Sequence, residues 1–309
     1  MKKTILFYLE QNKELASQLK LLNADSVFDI GTIQRDVFAD SEMKLRAIED
    51  VRGRNVIVLA STSSPVNERL MEVMILVDGL KRGNAKKVTL MSPYFGYSRQ
   101  DRGGDLNEPV TLQLVGALLK ESGVDEIINI EPHTHHKKGF FPIPFIELST
   151  EPLFAEYYLQ LFKKLNIENK DLVILAPDHG SINRGKHLQE FMPGAGFASI
   201  EKERYAPDHS RTVRFEGDVK GKTIIIYDDI ASTSKTILAA VQLAKSKGAV
   251  HIFVGVSHAV FSSRSNELLH KLSLDGIAAT NSIEKRTSKG MKVLSVAELI
   301  YDYIVNNCI

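Results

Sequence analysis

Short apolar runs rich in β-branched residues recur along the chain, and within each run the apolar residues are consecutive rather than alternating with polar ones. Consecutive apolar residues over this length indicate strands that are covered on both faces, as the strands of a parallel sheet are. The runs occupy residues 55–61, 87–93, 126–132, 171–177, 222–229 and 251–258.

Segments of helical length separate these runs, and their apolar residues fall on one helical face. In residues 67–84, Leu70, Val73, Met74 and Val77 recur at the spacing of an amphipathic helix. Comparable patterns occupy residues 108–123, 149–162, 234–249 and 293–307. Alternating strands and helices predict a parallel α/β architecture.

The strand-and-helix series runs twice, which predicts two domains, residues 1–148 and 149–309. A chain of 309 residues with 43% hydrophobic content is long enough to bury two cores of ordinary domain size. The C-terminal helix within residues 293–309 is compatible with packing on either domain. The polar residues 201–221, with one Pro and two Gly, predict a long loop, and long loops in compact domains are often functional.

Composition narrows the range of partners and compartments. Lys and Arg number 39 against 38 Asp and Glu, so no overall field attracts nucleic acid or an anionic membrane. No segment approaches the roughly 18 apolar residues of a membrane span, and the apolar run after Lys2 and Lys3 is too short for a signal peptide. Cys308, the only cysteine, cannot form an intrachain disulfide, which suits a reducing compartment. We therefore expect a cytoplasmic protein with neither a nucleic-acid nor a membrane partner.

The stretch "IIIYDDIASTSKT", residues 224–236, changes its chemical character halfway along. Its apolar run ends at Asp228 and Asp229, and in parallel α/β sheets ligands bind beyond the carboxyl ends of the strands. The helix start that follows offers free backbone N–H groups to an anion. Hydroxyl donors and one cation accompany these groups at Ser232, Thr233, Ser234, Lys235 and Thr236. A sugar phosphate suits both features, although an acid pair followed by an ordinary helix N-cap fits this stretch alone equally well.

Residues 228–236 resemble the phosphoribosyl pyrophosphate loop of the type I phosphoribosyltransferase fold. The rest of the chain resembles the ribose-phosphate pyrophosphokinase family, most specifically through "SPYFGYSRQDR" at residues 92–102. Further motifs of that family align in order at residues 37–42, 51–56, 64–74, 81–89, 133–141, 176–185 and 217–230. The resemblance implies two tandem type I phosphoribosyltransferase-like domains, each a mainly parallel sheet flanked by helices.

The resemblance also implies a reaction: the pyrophosphoryl group of ATP passes to the 1-hydroxyl of ribose 5-phosphate, giving 5-phosphoribosyl 1-pyrophosphate and AMP with Mg²⁺. Such transfers require positioning and neutralisation of spreading negative charge. By family position, Lys202 and Arg204 in "EKER" are catalytic residues on a closing loop, and the acid pair with residues 232–236 binds ribose 5-phosphate. Outside this context, "EKER" reads as a solvated charge cluster.

By the same resemblance, His133 is catalytic and belongs to the ATP and metal site, with Asp178 as the second metal ligand. Outside the family context, Asp178 reads as a helix N-cap. A zinc site at His133, His135 and His136 is disfavoured, because no cysteine lies nearby and the spacing matches no standard zinc motif.

The resemblance assigns ATP to two short segments besides His133. The residues are Phe38, Asp40, Glu42, Arg99, Gln100 and Asp101. An aromatic face can stack on adenine, while carboxylate or amide groups read its edge and arginine binds phosphate. No Walker A sequence is present to hold the phosphates. In the family, the flap around the first segment contributes to the adenine site of a neighbouring subunit, which implies a homo-oligomer built from dimers, up to a hexamer.

Two positions depart from the family pattern. Ser232 replaces a residue that is usually acidic, and Lys235 replaces a usual Gly, whose positive φ a lysine resists. The ending "VNNCI" lacks the family's Ser-rich, Phe-ending tail, so regulation by phosphate and ADP is not expected.

Two alternative functions remain open at this point. One is an inactive homologue that acts as a regulatory subunit, against which the retained His133, Lys202, Arg204 and acid pair argue. The other is a phosphoribosyltransferase, which would share the loop at 228–236 but would have no use for "PYFGYSRQDR".

Overall fold

The computed structural model describes residues 2–104, 106–133, 139, 141–203, 212–232, 235–261, 272–284 and 290–308, with the backbone alone at 202, 203, 212 and 213. The chain divides into two compact units. Unit 1 comprises Met1–Leu148, Ser282–Glu284 and Ser295–Ile309, and unit 2 comprises Ser149–Asn281 and Lys285–Leu294.

Unit 1 is built on a parallel sheet and a separate hairpin. Its strands are β1 (Ile5–Tyr8), β2 (Asp29–Ile30), β3 (Ile33–Val37), β4 (Met43–Ala47), β5 (Asn55–Leu59), β6 (Lys87–Ser92), β7 (Glu126–Ile130) and β8 (Phe145–Leu148). The sheet has the order β2-β1-β5-β6-β7-β8 with every neighbouring pair parallel. β3 and β4 pair antiparallel with each other as a hairpin outside this sheet.

Unit 2 contains a second, larger sheet. Its strands are β9 (Leu172–Ala176), β10 (Gly196–Glu203), β11 (Thr212–Glu216), β12 (Thr223–Ala231), β13 (His251–Ala259), β14 (Gly276–Thr280) and β15 (Lys292–Leu294). The order is β11-β10-β9-β12-β13-β14-β15, and only the edge pair β10–β11 is antiparallel among the described strands. The predicted mainly parallel α/β architecture is confirmed in both units.

Helices cover these sheets with their apolar faces. They are α1 (Lys13–Leu22), α2 (Val66–Arg82), α3 (Thr111–Ser122), α4 (Glu151–Leu165), α5 (Ile182–Glu190), α6 (Lys235–Ser246) and α7 (Ala297–Asn307). In α2, Leu70, Val73 and Val77 are buried, as their spacing predicts. α3 starts at Thr111 rather than at the predicted residue 108, since the proline at 109 disfavours helical backbone in the residue before it.

Unit 2 draws much of its core from aromatic side chains. Phe154, Tyr158 and Phe162 of α4 are all buried, and Phe154 meets Tyr227 of β12 with a ring-centroid distance of 5.1 Å. Phe162 packs edge-on against Phe253 of β13 at 5.0 Å. This aromatic layer covers one face of the central strands, which explains why β12 and β13 carry consecutive apolar residues.

The polar segment 201–221 is not the unbroken loop that its composition predicts. β10 continues to Glu203 and pairs antiparallel with β11, so that Lys202 lies opposite Val213. An edge strand is paired on one side only and needs little apolar content, so a search for apolar runs overlooks β11.

Among the described residues, no helix is both long enough and apolar enough to cross a membrane.

Cys308 lies in unit 1 just beyond the end of α7 and is half-buried. Burial, reinforced by the charge of Glu126, raises the pKa of its thiol to about 11. We expect Cys308 to react with a disulfide reagent at pH 8 at least about tenfold more slowly than an unstructured cysteine peptide, because the thiolate fraction falls faster than nucleophilicity rises. Glu126→Gln should speed the reaction, and a wild-type rate equal to that of the peptide would contradict this assignment.

Candidate functional site

The two adjacent acids lie at the carboxyl end of β12, the central strand of the sheet in unit 2. Asp228 is 9% exposed and Asp229 is 3% exposed, so both carboxylates are largely removed from water. β12 runs on to Ala231, two residues further than predicted, because Ile230 and Ala231 still pair in register with β13. Buried carboxylates at this edge need a partner of opposite charge.

Arg184 supplies that partner from α5. Its Nη1 lies 3.5 Å from Oδ1 of Asp228 and 3.3 Å from Oδ1 of Asp229, and its side chain is 3% exposed. Arg184 is not among the site residues that the sequence predicts. Arg184 and Leu188 lie on the buried face of α5, and a charge on such a face requires a counter-charge, so the role of Arg184 follows from the fold and not from a sequence pattern.

The electrostatics of the pair favour retention of a proton. Burial, followed by the charge of Asp229, raises the pKa of Asp228 well above its usual range. The guanidinium of Arg184 opposes this rise, while the carboxylate of Asp178 adds to it. The two adjacent carboxyl groups resist a second negative charge. A ligand whose hydroxyl groups donate several hydrogen bonds to the pair would therefore favour its ionised form.

Asp178 follows the end of β9, the strand beside β12. Its Oδ1 accepts a hydrogen bond of 3.1 Å from the backbone N–H of Ser181, so the residue caps the short 3₁₀ helix His179–Ser181. The helix N-cap that the sequence allows is thus present. The cap does not remove Asp178 from the site, because its charge still raises the pKa of Asp228.

The residues predicted to bind the phosphate lie around the start of α6, and the structure describes three of the five. Ser232 is half-buried just after β12, Lys235 is the exposed first residue of α6, and Thr236 is half-buried. Thr233 and Ser234 lie outside the described residues. The side chain of Lys235 thus lies in solvent beside the helix N-terminus.

Of the two predicted catalytic cations, the structure describes the backbone of Lys202 only. Arg204 lies outside the described residues, and so does the rest of the proposed closing loop up to residue 211. β10 is parallel to β9, and it extends beyond the end of β9 by four residues after Ser199 pairs with Ala176. The topology therefore places Lys202 at the same edge of the sheet as Asp178 and Asp228.

In unit 1, the predicted nucleotide residues follow two neighbouring strands. Arg99, Gln100 and Asp101 come after β6, and the exposed His133 comes after β7, so all lie at the carboxyl edge of one parallel sheet. Arg99 and Gln100 are exposed, while Asp101 is 8% exposed. His135 and His136 lie outside the described residues.

Gln100 is fixed at the start of α3. Its Oε1 accepts a hydrogen bond of 2.8 Å from Oγ1 of Thr111, and its carbonyl accepts one of 3.1 Å from the N–H of Leu112. Gln100 is therefore held in place by the helix that follows, while the neighbouring Arg99 projects into solvent.

The remaining predicted nucleotide residues form the tip of the β3–β4 hairpin. Phe38 is 53% exposed, and its N–H donates to the carbonyl of Glu42 over 2.8 Å. The N–H of Ser41 donates back to the carbonyl of Phe38, and the N–H of Glu42 donates to Oδ1 of Asp40 over 3.1 Å. The tip thus holds its own shape and presents an exposed aromatic ring, which suits stacking on a planar base.

Comparison with known proteins gives one consistent family. The model of the N-terminal domain of ribose phosphate pyrophosphokinase matches residues 4–123, and that of the phosphoribosyl synthetase-associated domain matches residues 196–306. Ribose-phosphate pyrophosphokinase 1 of Streptococcus pneumoniae is 35% identical over 305 residues, which cover 97% of this chain and 92% of that one. The ribose-phosphate pyrophosphokinase of Bacillus cereus is 36% identical with the same coverage of 97% and 92%.

Among solved structures, phosphoribosylpyrophosphate synthetase from Mycobacterium smegmatis has a TM-score of 0.88 and 32% sequence identity to this chain. The match covers 98% of each chain, so the likeness extends over both units.

Proposed function

Because the chain belongs to the ribose-phosphate pyrophosphokinase family, we propose that it transfers the pyrophosphoryl group of ATP to the 1-hydroxyl of ribose 5-phosphate. The bond between the α,β-bridging oxygen and the β-phosphorus of ATP breaks, and a bond from O1 of the sugar to that phosphorus forms. The 1-hydroxyl releases its proton to water, and the products are 5-phosphoribosyl 1-pyrophosphate and AMP. The observation that carries the proposal is the buried acid pair on β12. Arg184 contacts both of its carboxylates, and the start of α6 follows the pair in the chain.

The acid pair is assigned to the ribose ring. Ionised Asp228 and Asp229 accept hydrogen bonds from sugar hydroxyls, and Arg184 offsets their charge from the protein side. The 5-phosphate then lies at the N-terminus of α6, where backbone N–H groups and hydroxyls face an anion. Lys235 adds a cation at that point, which compensates for the glycine it replaces.

The transfer itself is assigned to cations rather than to a covalent nucleophile. Lys202 and Arg204 stabilise the negative charge that spreads over the moving phosphoryl oxygens. ATP is held by the exposed ring of Phe38, by Asp40 and Glu42, and by the segment from Arg99 to Asp101, with His133 donating to a phosphate oxygen. A homo-oligomer, in which one subunit's hairpin tip reaches its neighbour's adenine site, agrees with the exposure of Phe38.

The donor chemistry in unit 2 fits Mg²⁺. Asp178 offers carboxylate oxygen at the sheet edge, and no group of three or more His, Cys, Asp or Glu in the described part of the chain is arranged to hold an ion unaided. Mg²⁺ accepts such sparse sites, because substrate oxygens and water complete its shell. Asp178 is the proposed protein ligand, with His133 as the second candidate, and the ion would neutralise charge on the phosphates of ATP.

One assay tests the proposed reaction. The protein is incubated with ATP and Mg²⁺, with and without ribose 5-phosphate, and AMP is measured. We expect AMP only when the sugar is present, and none from Asp228→Asn, whereas Asp218→Asn at an exposed turn of unit 2 should behave as wild type. ADP formed without sugar would indicate a different phosphoryl transfer. Binding of both substrates without turnover would favour a regulatory role instead.

A further inference from the structure

We propose that the ion cluster formed by Arg35 and Arg69 around the buried Glu72 holds the β3–β4 hairpin where its tip meets ATP, which makes Arg35 a positioning residue for nucleotide binding. The proposal rests on the proposed function only in assigning the tip to ATP. The cluster itself lies wholly within unit 1.

The two strands of the hairpin are anchored unequally. Leu45 of β4 is 7% exposed and joins the apolar core of unit 1, and β4 packs against α2. In β3, Ile33 is half-buried, and the four residues that follow are exposed to solvent. Apolar burial therefore fixes β4 to α2, whereas β3 is held by its pairing with β4 and by one further contact, a polar one, to α2.

Arg35 provides that contact. Its Nε lies 2.7 Å from Oε1 of Glu72 on α2, whose side chain is 1% exposed. Its Nη2 lies 3.4 Å from Oε1 of Glu68, one helical turn earlier on α2. A charge-assisted hydrogen bond to a buried carboxylate is among the stronger polar contacts in proteins, and this one lies three residues before Phe38.

Because Arg69 also contacts Glu72, the contact between Arg35 and Glu72 can be removed without loss of the fold. Nη1 of Arg69 lies 2.7 Å from Oε2 of Glu72, so each carboxylate oxygen has its own guanidinium. Loss of Arg35 therefore leaves Glu72 still paired, and α2 keeps its counter-charge. The expected consequence is a hairpin that is looser at the tip on an otherwise intact unit.

A looser tip weakens nucleotide binding for an entropic reason. If the tip samples many positions, ATP binds only to the fraction of molecules in which the tip is in place, and the apparent affinity falls by that fraction. Sugar binding depends on residues of unit 2 and should not change. The cluster thus predicts a selective defect towards one substrate.

Arg46 offers a matched control within the same hairpin. It lies on β4, it is exposed, and its Nη2 contacts Oε1 of Gln34 over 3.1 Å, so its bond stays inside the hairpin. Replacing Arg46 removes the same charge from the same element without touching α2.

The experiment compares Arg35→Gln, Arg35→Lys and Arg46→Gln in the full chain, using steady-state kinetics and hydrogen exchange. For Arg35→Gln we expect the KM for ATP to rise roughly tenfold, with the KM for ribose 5-phosphate and kcat within about twofold of wild type. The amides of Phe38 and Ser41 should exchange faster, while those of α2 keep their protection. Arg35→Lys should lie between, and Arg46→Gln should match wild type.

Several outcomes would contradict the proposal that Arg35 holds the hairpin for ATP. They are an unchanged KM for ATP despite faster exchange at the tip, unchanged exchange at the tip, or an equal rise for both substrates. Unfolding of α2 in Arg35→Gln would also overturn the claim that Arg69 suffices, and Arg35→Lys would then decide the kinetic point. Wild-type protein that makes no AMP would instead reject the proposed function, and the exchange measurement would still decide whether Arg35 holds the hairpin.

Discussion

Lys202→Ala should lower kcat by about 10²–10³-fold while the affinity for ribose 5-phosphate stays near the wild-type value. The sugar is assigned to the acid pair on β12 and the start of α6, whereas Lys202 acts on charge that develops only as the pyrophosphoryl group moves. An interaction made only in the transition state affects kcat and leaves ground-state binding intact.

The measurement combines AMP formation with titration calorimetry of ribose 5-phosphate. Lys220→Ala serves as the control, because Lys220 is an exposed lysine of unit 2 in the turn before β12. If Lys202→Ala kept more than about a tenth of the wild-type rate, the assignment of this lysine to the transferring group would be wrong.

Arg184→Met should have the second largest effect, because it leaves two adjacent buried carboxylates without their guanidinium. Breaking a buried ion pair costs about 3 kcal/mol or more, so the melting temperature should fall by roughly 6–12 °C at pH 8. Ribose 5-phosphate binding should weaken as well, since the pair would bind a proton in place of the sugar hydroxyls.

The pH dependence of this variant has a definite sign. Arg184 lowers the pKa of Asp228, so its removal raises further a pKa that burial and Asp229 already hold high. A carboxyl with a raised pKa in the folded state contributes stability at low pH that is lost as pH rises through that pKa. As the pH rises, Arg184→Met should therefore continue to lose stability up to a higher pH than wild type does, and its sugar binding should require a higher pH.

Two variants on α5 control for this prediction. Lys186→Met removes an exposed cation near the ring of Phe197 and should leave both stability and sugar binding close to wild type. Arg184→Lys keeps the charge and should recover part of the sugar affinity. Thermal melts across pH and calorimetry give the result, and a flat difference between Arg184→Met and wild type across pH would contradict the role of Arg184.

Burial on both faces explains which elements the sequence predicts. All but the first residue of β13 are buried, so its apolar residues are consecutive and the strand is readily recognised. The β3–β4 hairpin buries little beyond Leu45, and its charged residues resemble a loop. Its strands pair locally, but the contact from β3 to α2 joins Arg35 to Glu72 across 37 positions of sequence, and no local pattern encodes that contact.

The candidate site also combines residues that the sequence predicts with residues that it does not. Asp228 and Asp229 were predicted because a strand end and its acids are adjacent in sequence. Arg184 could not be inferred in this way, because it reaches the pair from 44 positions earlier and from a helix that looks merely polar. Asp178 combines a cap with a charge beside the pair, and only the fold brings these two roles together.

The return of residues 295–308 to unit 1 has a consequence for biosynthesis. The hydroxyl Oγ1 of Thr4, just before β1, donates a hydrogen bond to the carbonyl of Cys308 over 2.8 Å, and α7 packs on α1. These residues are translated after nearly the whole of unit 2, so the ribosome cannot deliver a finished unit 1 before unit 2. An emerging N-terminal half therefore lacks α7, and the surface of α1 that α7 covers stays exposed until synthesis ends.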